Sequence, residues 1–455
     1  MPATKTQFVC QSCGSTQPRW LGRCPSCGAW NTFAEEQITP RSGRSRGKVD
    51  KPSSQPQVLA DLVPDQSPRL PGNLPELDRV LGGGFVKASS VLIGGDPGVG
   101  KSTLLLQAAA SVASKGCGVL YVSAEEAPAQ IRLRSDRLDL ACYDLQVLGE
   151  SDNSEAIKWA EKLKPGMVVV DSIQTLRRTD LESAPGTVTQ VREVASSWTD
   201  WAKQNESVVV LIGHVTKEGA IAGPRVVEHL VDAVLLFEGD HVGDVRILRT
   251  LKNRFGPTGE LGVFEMSTRG LKGVENPSKL FLSQGGERLP GVAVSAVING
   301  SRPMLIELQA LVTRSFFSAP QRNATGVDQR RLSLWIAVLE KRVGLVLAGQ
   351  DVFLNAAGGL RLEDAAADLA AVTAIASSLK DQPVRPDTVL IGEVGLTGEV
   401  RAVGSLERRL SEAAHLAFKR AVIPATGWKN KSFDGIEVIP VGSLDEALEV
   451  SLADR

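Results

Sequence analysis

The sequence predicts an α/β protein in three parts: a small N-terminal module held by a metal, a twisted and largely parallel sheet with helices on both faces, and a second α/β domain at the C-terminus. Three observations predict it. Two C-x2-C pairs flank a ten-residue spacer near the N-terminus. An apolar strand then runs into Gly95-Asp96-Pro97-Gly98-Val99-Gly100-Lys101-Ser102 and on into a helical pattern. From about residue 285 strand and helix patterns resume without a second phosphate loop.

The bulk numbers set the bounds. A chain of 455 residues, 42% hydrophobic, has material for two or three domains with large cores. A net charge of −1 excludes global attraction to nucleic acid, so any such binding has to come from local basic patches. No apolar run reaches membrane-spanning length. The opening MPATKTQFVCQSCG lacks the apolar core of a secretory signal. Both facts point to a cytoplasmic, reducing setting. There, six cysteines read as metal ligands or core residues before disulfides.

Residues 1–35 carry Cys10, Cys13, Cys24 and Cys27, each pair followed by a glycine, Gly14 and Gly28. Two closely spaced thiolates grip one edge of a metal, and the glycine lets the chain turn tightly behind them. Two such knuckles complete a tetrahedral site with no open position, so the expected Zn²⁺ is structural. A module this small has little core, and the metal should hold it together. Cys117 and Cys142 lack such spacing and read as core or near-core residues. Residues 36–57 read as a flexible linker. RSGRSRGKVDK holds five basic residues and one acid, followed by Ser, Pro and Gln.

The second domain is expected over 58–284. The phosphate loop, Gly95 to Ser102 and then Thr103, fits G-x-x-x-x-G-K-[ST] in its required strand–loop–helix setting. Its backbone N–H groups converge on phosphates, and the helix N-terminus adds partial positive charge. Lys101 is expected to reach the β- and γ-phosphates of ATP, and Ser102 to ligate Mg²⁺. GMVVVDS ends a strand in Asp171, a carboxylate placed to hold the Mg²⁺ water shell. GVLYVSAEE ends in Glu125 and Glu126, of which Glu125 is the choice for polarising the attacking water. Glu126 competes for that role, and both residues also suit capping of the next helix. A further strand ends near His214, a candidate sensor of the γ-phosphate. Arg177 and Arg178, and Lys217 and Arg225, lie in two loop-like stretches suited to the backbone of single-stranded DNA. Mobile surface loops are the plainer reading of both.

RILRTLKNRFGPTGELGVFEM reads as a hairpin, with Lys252-Asn253-Arg254-Phe255-Gly256-Pro257 as its turn. A solvated, charged tip is the plainer reading of the segment alone, although such a tip needs no pair of cations beside a phenylalanine. The phosphate loop has no obvious arginine finger near it, which leaves a role for Lys252 or Arg254. Phe255 reads as the packing anchor of the turn. Residues 285–455 then form the last α/β domain.

Taken together, the four-cysteine module, GGDPGVGKST, VVVDS, the KNRFG pentapeptide and the C-terminal third resemble the bacterial RadA (Sms) family over essentially the whole chain. The resemblance implies a RecA-like ATPase core and a C-terminal domain like the proteolytic domain of Lon. It implies a homohexameric ring that uses ATP to move on single-stranded DNA, extending branched recombination intermediates made by the RecA recombinase. In such a ring Lys252 and Arg254 face phosphates held by the neighbouring subunit. Where Lon has its nucleophilic serine this chain has Ala366, and where Lon has its lysine it has Glu407. A serine–lysine pair needs both groups, so the domain is expected not to cut peptides. The alternative to a motor is an ATP-switched DNA-binding adaptor that unwinds nothing.

Overall fold

The computed structural model describes residues 5–11, 14–38, 69–140, 144–214, 225–239, 244–283, 289–316, 319–359, 361–429 and 432–453. Cys13, Cys142 and Lys217 lie outside them, as does most of the expected linker; residues 36–38 of that linker complete a strand. The chain divides into two compact units, Met1–Gly273 and Val274–Arg455. No helix among the described residues is long and apolar enough to cross a membrane.

The first unit begins with a three-stranded antiparallel sheet of β1 (Lys5–Cys10), β2 (Thr16–Gln17) and β3 (Phe33–Ile38), in the order β2-β1-β3. The elements that follow are α1 (Pro75–Leu81), β4 (Ser90–Gly95), α2 (Lys101–Ser114), β5 (Val119–Ser123), α3 (Pro128–Arg137), β6 (Leu145–Gly149), α4 (Asn153–Leu163) and β7 (Met167–Asp171). After them come α5 (Val188–Asn205), β8 (Val208–Ile212), α6 (Arg225–Leu230), β9 (Ala233–Gly239), β10 (Val245–Asn253), β11 (Leu261–Ser267) and β12 (Gly270–Gly273). They form one nine-stranded sheet, ordered β12-β11-β10-β9-β4-β8-β7-β5-β6. The run from β9 to β6 is parallel, and β10, β11 and β12 continue it antiparallel.

The central strands are apolar without interruption because both faces of the sheet are covered. Successive side chains point to opposite faces. Val91 and Ile93 therefore join one core cluster with Leu104, Leu105 and Ala108 of α2. Leu92, between them, joins the other with Trp198 and Ala202 of α5 and Ala156 of α4. β5, β7 and β8 divide the same way, so the sheet supports two cores at once. The start of β4 is polar. Asp232, just before β9, accepts hydrogen bonds from the Ser90 N–H (3.0 Å) and the Ser90 hydroxyl (3.1 Å).

The second unit adds β13 (Val292–Asn299), β14 (Arg302–Arg314), β15 (Arg322–Thr325), α7 (Gln329–Val338), β16 (Gln350–Ala356), α8 (Asp368–Lys380), β17 (Thr388–Leu390), β18 (Glu393–Val394), β19 (Val400–Arg401), α9 (Leu406–His415), β20 (Arg420–Pro424), β21 (Glu437–Val441) and α10 (Leu444–Ser451). Seven strands form a mixed sheet, ordered β15-β16-β14-β13-β17-β20-β21. α8 is buried from Asp368 to Ser377, and Leu, Ala, Val and Ile make up most of that span. The unit begins ahead of residue 285, where the texture of the sequence changes. Residues 277–281 fold back onto β14: the Ser278 hydroxyl accepts from the Leu305 N–H (3.0 Å), and the Phe281 carbonyl accepts from the Glu307 N–H (3.1 Å). That tether is tertiary and leaves no periodic mark.

Candidate functional site

The phosphate loop follows β4 at the carboxyl end of the parallel strands, where α/β sheets place their ligands. Gly95 packs against the next strand so closely that a Cβ would stand 2.3 Å from the Phe237 carbonyl oxygen, so no other residue fits. Lys101 opens α2 and is almost wholly buried. Its ammonium donates to the carbonyls of Gly95 (2.7 Å) and Asp96 (2.9 Å) and lies 3.4 Å from His214 Nδ1. Burial lowers its pKa, while Asp171, Glu125 and Asp96 pull it back. The cation thus waits among acceptors that phosphate oxygens can replace.

Asp171, the last residue of β7, accepts a hydrogen bond from Tyr121 Oη (2.6 Å) and another from Ser102. Burial raises its pKa; the two hydroxyls oppose the rise. Burial, reinforced by Asp171, drives the Tyr121 phenol well above its usual range, so it stays a donor. A charge-assisted bond of this kind is worth roughly 1.5–3 kcal/mol and fixes which way the carboxylate faces. Asp171 and Ser102 offer adjacent oxygen ligands, the chemistry Mg²⁺ takes. Tyr121 was not singled out in the sequence. Its signal is a phenol in the middle of the otherwise apolar run Val119–Val122 of β5.

The two glutamates part company. Glu125 accepts from the Ser172 hydroxyl (2.5 Å), and its Oε1 lies 3.2 Å from His214 Nε2. His214, then Ser172 and Lys101, lower its pKa against a desolvation that raises it. It therefore remains a carboxylate facing the Lys101 cation. Glu126 turns away and pairs with Arg134 of α3. Neither glutamate caps α3: its N-cap is Ala127, whose N–H is met by Gln130 (3.1 Å). Arg246 of β10 also reaches this end of the sheet and donates to the Val99 carbonyl of the phosphate loop (3.2 Å). Only the strand pairing brings it there.

The KNRFG segment lies at the other end of the strands. Asn253 pairs with Ala233, and Ala233 with Val91 near the start of β4, whereas Gly95 pairs with Phe237. Arg254 Nη1 lies 3.4 Å from Asp232 Oδ1. From Asp232 to Phe237 an extended chain covers roughly 16 Å, so Arg254 stands far from the phosphate loop of this chain. Lys252 and Asn253 are the last residues of β10 and not part of the turn, which starts at Arg254. Lys252 Nζ donates to the carbonyls of Glu228 and Val231 (both 2.7 Å) at the end of α6. Burial and the neighbouring Arg254 lower its pKa. Phe255 is 37% exposed and does not anchor the turn. Asn253 does that work by accepting from the Phe255 N–H (2.9 Å), and Arg69 grips the Phe255 carbonyl (2.5 Å).

Of the candidate DNA contacts, Arg177 is exposed. Arg178 is engaged by Asp180 (2.6 Å) and Glu193 (3.3 Å), a pairing that sequence cannot foretell for Glu193, one turn into α5. Arg225 begins α6.

At the N-terminus the sulfurs of Cys10, Cys24 and Cys27 lie within 4.8 Å of one another. The Gly14 N–H donates to Cys10 O (2.8 Å) and the Gly28 N–H to Cys24 O (2.9 Å), with both glycines at positive φ, 72° and 76°. The paired knuckles and converging thiols fit a structural Zn²⁺.

In the second unit Ala366 is fully buried in a short 3-10 turn, and Glu407 is exposed in the first turn of α9. Two ion pairs flank Ala366. Arg409 Nη1 meets Asp364 Oδ2 at 2.6 Å, and Arg331 pairs with Asp368. Asp364 also accepts from the N–H groups of Ile298 (2.7 Å) and Ala366 (2.9 Å). Breaking a buried pair of this kind by removing one partner costs roughly 3–5 kcal/mol, so these groups are structural cement.

Comparisons with known proteins follow the same three parts. A family model described as a rubredoxin metal binding domain matches residues 8–35, one described as an AAA domain matches 54–220, and one described as the Lon protease (S16) C-terminal proteolytic domain matches 350–454. The chain is 49% identical over 458 residues to the DNA repair protein RadA of Bacillus subtilis (strain 168), covering 99% of this chain and 100% of that protein. It is 46% identical to the protein of that name from Brucella abortus (strain 2308), over 100% of both. The identity to the one from Pseudomonas aeruginosa is also 46%, over 99% of both.

Proposed function

The chain belongs to the RadA family of DNA repair proteins, and on that premise we propose that it is a DNA-stimulated ATPase motor. It works as a homohexameric ring on single-stranded DNA, extending branched recombination intermediates with the RecA recombinase. One observation carries the reading: the cations of KNRFG stand at the opposite end of the strands from their own phosphate loop. They complete a site only when a second subunit brings its phosphates to them.

Within one subunit Lys101 leaves its carbonyl acceptors for the β- and γ-phosphates. Glu125 polarises the attacking water, and His214, touching both Glu125 and Lys101, senses whether the γ-phosphate is present. Asp171 and Ser102 would hold Mg²⁺, which when bound neutralises charge on the phosphates. Lys252 and Arg254 act on the neighbour's γ-phosphate. The exposed Arg177, with Lys217 and Arg225, serves the DNA backbone. The Lon-like unit is a platform without peptidase chemistry, because Ala366 offers no nucleophile and Glu407 no amine.

The test is steady-state ATP hydrolysis with and without single-stranded DNA, paired with a mass measurement of the assembly and an unfolded-protein digestion. The expected result is a hexameric mass, hydrolysis that rises at least severalfold with DNA, and an undigested substrate. Hydrolysis indifferent to DNA would favour the ATP-switched adaptor. A monomer with full activity, or digestion that survives removal of contaminating proteases, would refute the ring and platform roles.

A further inference from the structure

The phosphate loop is fastened to the sheet through one residue. Asp96, Pro97 and Gly98 form an exposed crest, whereas the Val99 side chain is buried in the core cluster that holds Phe237 and Phe264. The Val99 carbonyl accepts from Arg246 Nε (3.2 Å). Arg246 is the antiparallel partner of Gly239, the last residue of β9. A Cβ on Gly239 would stand 2.7 Å from Arg246 Cδ, 2.9 Å from its Nε and 3.0 Å from Val99 Cγ2. The missing side chain is what lets the arginine stem lie against β9 and reach the loop. A second bond, from Nη1 to the Val245 carbonyl (2.9 Å), steadies the guanidinium.

Holding that carbonyl has a consequence one atom further along. A trans peptide is flat, with its C=O and N–H on opposite sides. Fixing the Val99 carbonyl on Arg246 therefore turns the Gly100 N–H away from β10. The backbone of the loop does not choose this sense by itself. Gly100 stands at φ 112°, and turning the peptide over would carry it to negative φ, where glycine is equally at ease. The plane on the other side of Gly100 is already fixed, because its carbonyl accepts from the Leu104 N–H (2.9 Å) in the first turn of α2. Backbone N–H groups at a helix N-terminus are what an anion binds. A Gly100 N–H turned toward β10 could not join them.

We propose that Arg246 is a positioning residue for nucleotide binding: by holding the Val99 carbonyl, with Gly239 making room for it, Arg246 keeps the Gly100 N–H among the donors that receive the phosphates. The proposal rests on the reading that this loop holds ATP, and it assigns a part in that site to a residue that touches no nucleotide.

The test uses full-length protein and two probes, ADP and inorganic pyrophosphate, with binding followed by calorimetry. Arg246→Met, which keeps the stem and loses the donor, should weaken both about tenfold, the scale of one hydrogen bond to a charged group. Arg246→Lys, which keeps a donor, should stay within about threefold of wild type. Gly239→Ala keeps the arginine but displaces it, so it should weaken both probes in the same way. The two changes together should lose no more than the larger does alone. In steady-state hydrolysis the loss should fall on KM for ATP and leave kcat nearly unchanged, because the N–H holds phosphate before and during transfer alike. Melting of the nucleotide-free protein is measured for every variant. Where Arg246→Met fails to fold, Arg246→Lys and Gly239→Ala decide. Equal affinity of wild type, Arg246→Met and Gly239→Ala would overturn the proposal while leaving the ATP reading intact. So would a loss confined to ADP, since the arginine would then be touching the nucleoside, and so would a loss as large with lysine as with methionine. A wild type that binds neither probe would overturn the ATP reading and the proposal together.

Discussion

Arg254→Ala should lower ATP turnover by about a thousandfold or more while leaving nucleotide affinity of an isolated subunit nearly unchanged. An arginine finger stabilises charge that develops on the transferred phosphoryl group, and its removal costs on the order of 10³–10⁵ in rate. Arg254 is suited to reach outward because it is held loosely, 55% exposed and 3.4 Å from its Asp232 partner. Lys252 is held more firmly, by two carbonyls at 2.7 Å. Lys101→Ala should fail for the opposite reason, within its own subunit. Mixed rings of the two inactive proteins then contain some interfaces with both an intact Lys101 and an intact Arg254. Partial recovery of hydrolysis on mixing, read against rings of verified composition, is the expected outcome. Absence of recovery would count against a shared site.

The second large effect separates the paired glutamates. Glu125→Gln should cut turnover by about a hundredfold or more, the usual scale for loss of a general base, with ATP still bound. Glu126→Gln should change turnover by only about twofold or threefold and mainly loosen α3, because Glu126 is committed to Arg134. Comparable losses in both variants, measured as kcat under saturating ATP, would remove the distinction. The acid side of the pH profile carries a sign as well. His214 and Ser172 hold Glu125 below its ordinary pKa, so its carboxylate persists as pH falls through the usual glutamate range. Asp171 is raised instead and protonates first in the nucleotide-free protein. Loss of metal binding through Asp171 should therefore precede protonation of Glu125.

How much of this was legible depends on how local each feature is. The phosphate loop, the cysteine knuckles and the carboxylates at strand ends are written in a few consecutive residues, because a tight turn and a strand end are local events. The α/β class was legible for the same reason: buried parallel strands read as unbroken apolar runs. The partners of those residues were not legible. Tyr121 and Asp171 are fifty residues apart in sequence and meet only because β5 and β7 are neighbours. The end of Arg246 is likewise set by pairing. The KNRFG segment shows a subtler failure. Gly256 and Pro257 mark a turn correctly, but Lys252 and Asn253 stay in β10 because β9 lies alongside them, and no local preference reveals that neighbour.

The two ends of β4 carry one more implication. Its middle is apolar on both faces, so sliding the strand by one residue would still turn apolar side chains toward both cores, with Leu92 where Val91 and Ile93 now pack. Greasiness cannot keep the reading frame of such a strand. The frame is kept by its punctuation, the two hydrogen bonds from Ser90 to Asp232 at one end and the glycine-only gap beside Phe237 at the other. A slip would carry the phosphate loop ~3.3 Å out of place. Asp232, which steadies Arg254, is thus also the comma that keeps the catalytic sentence in phase.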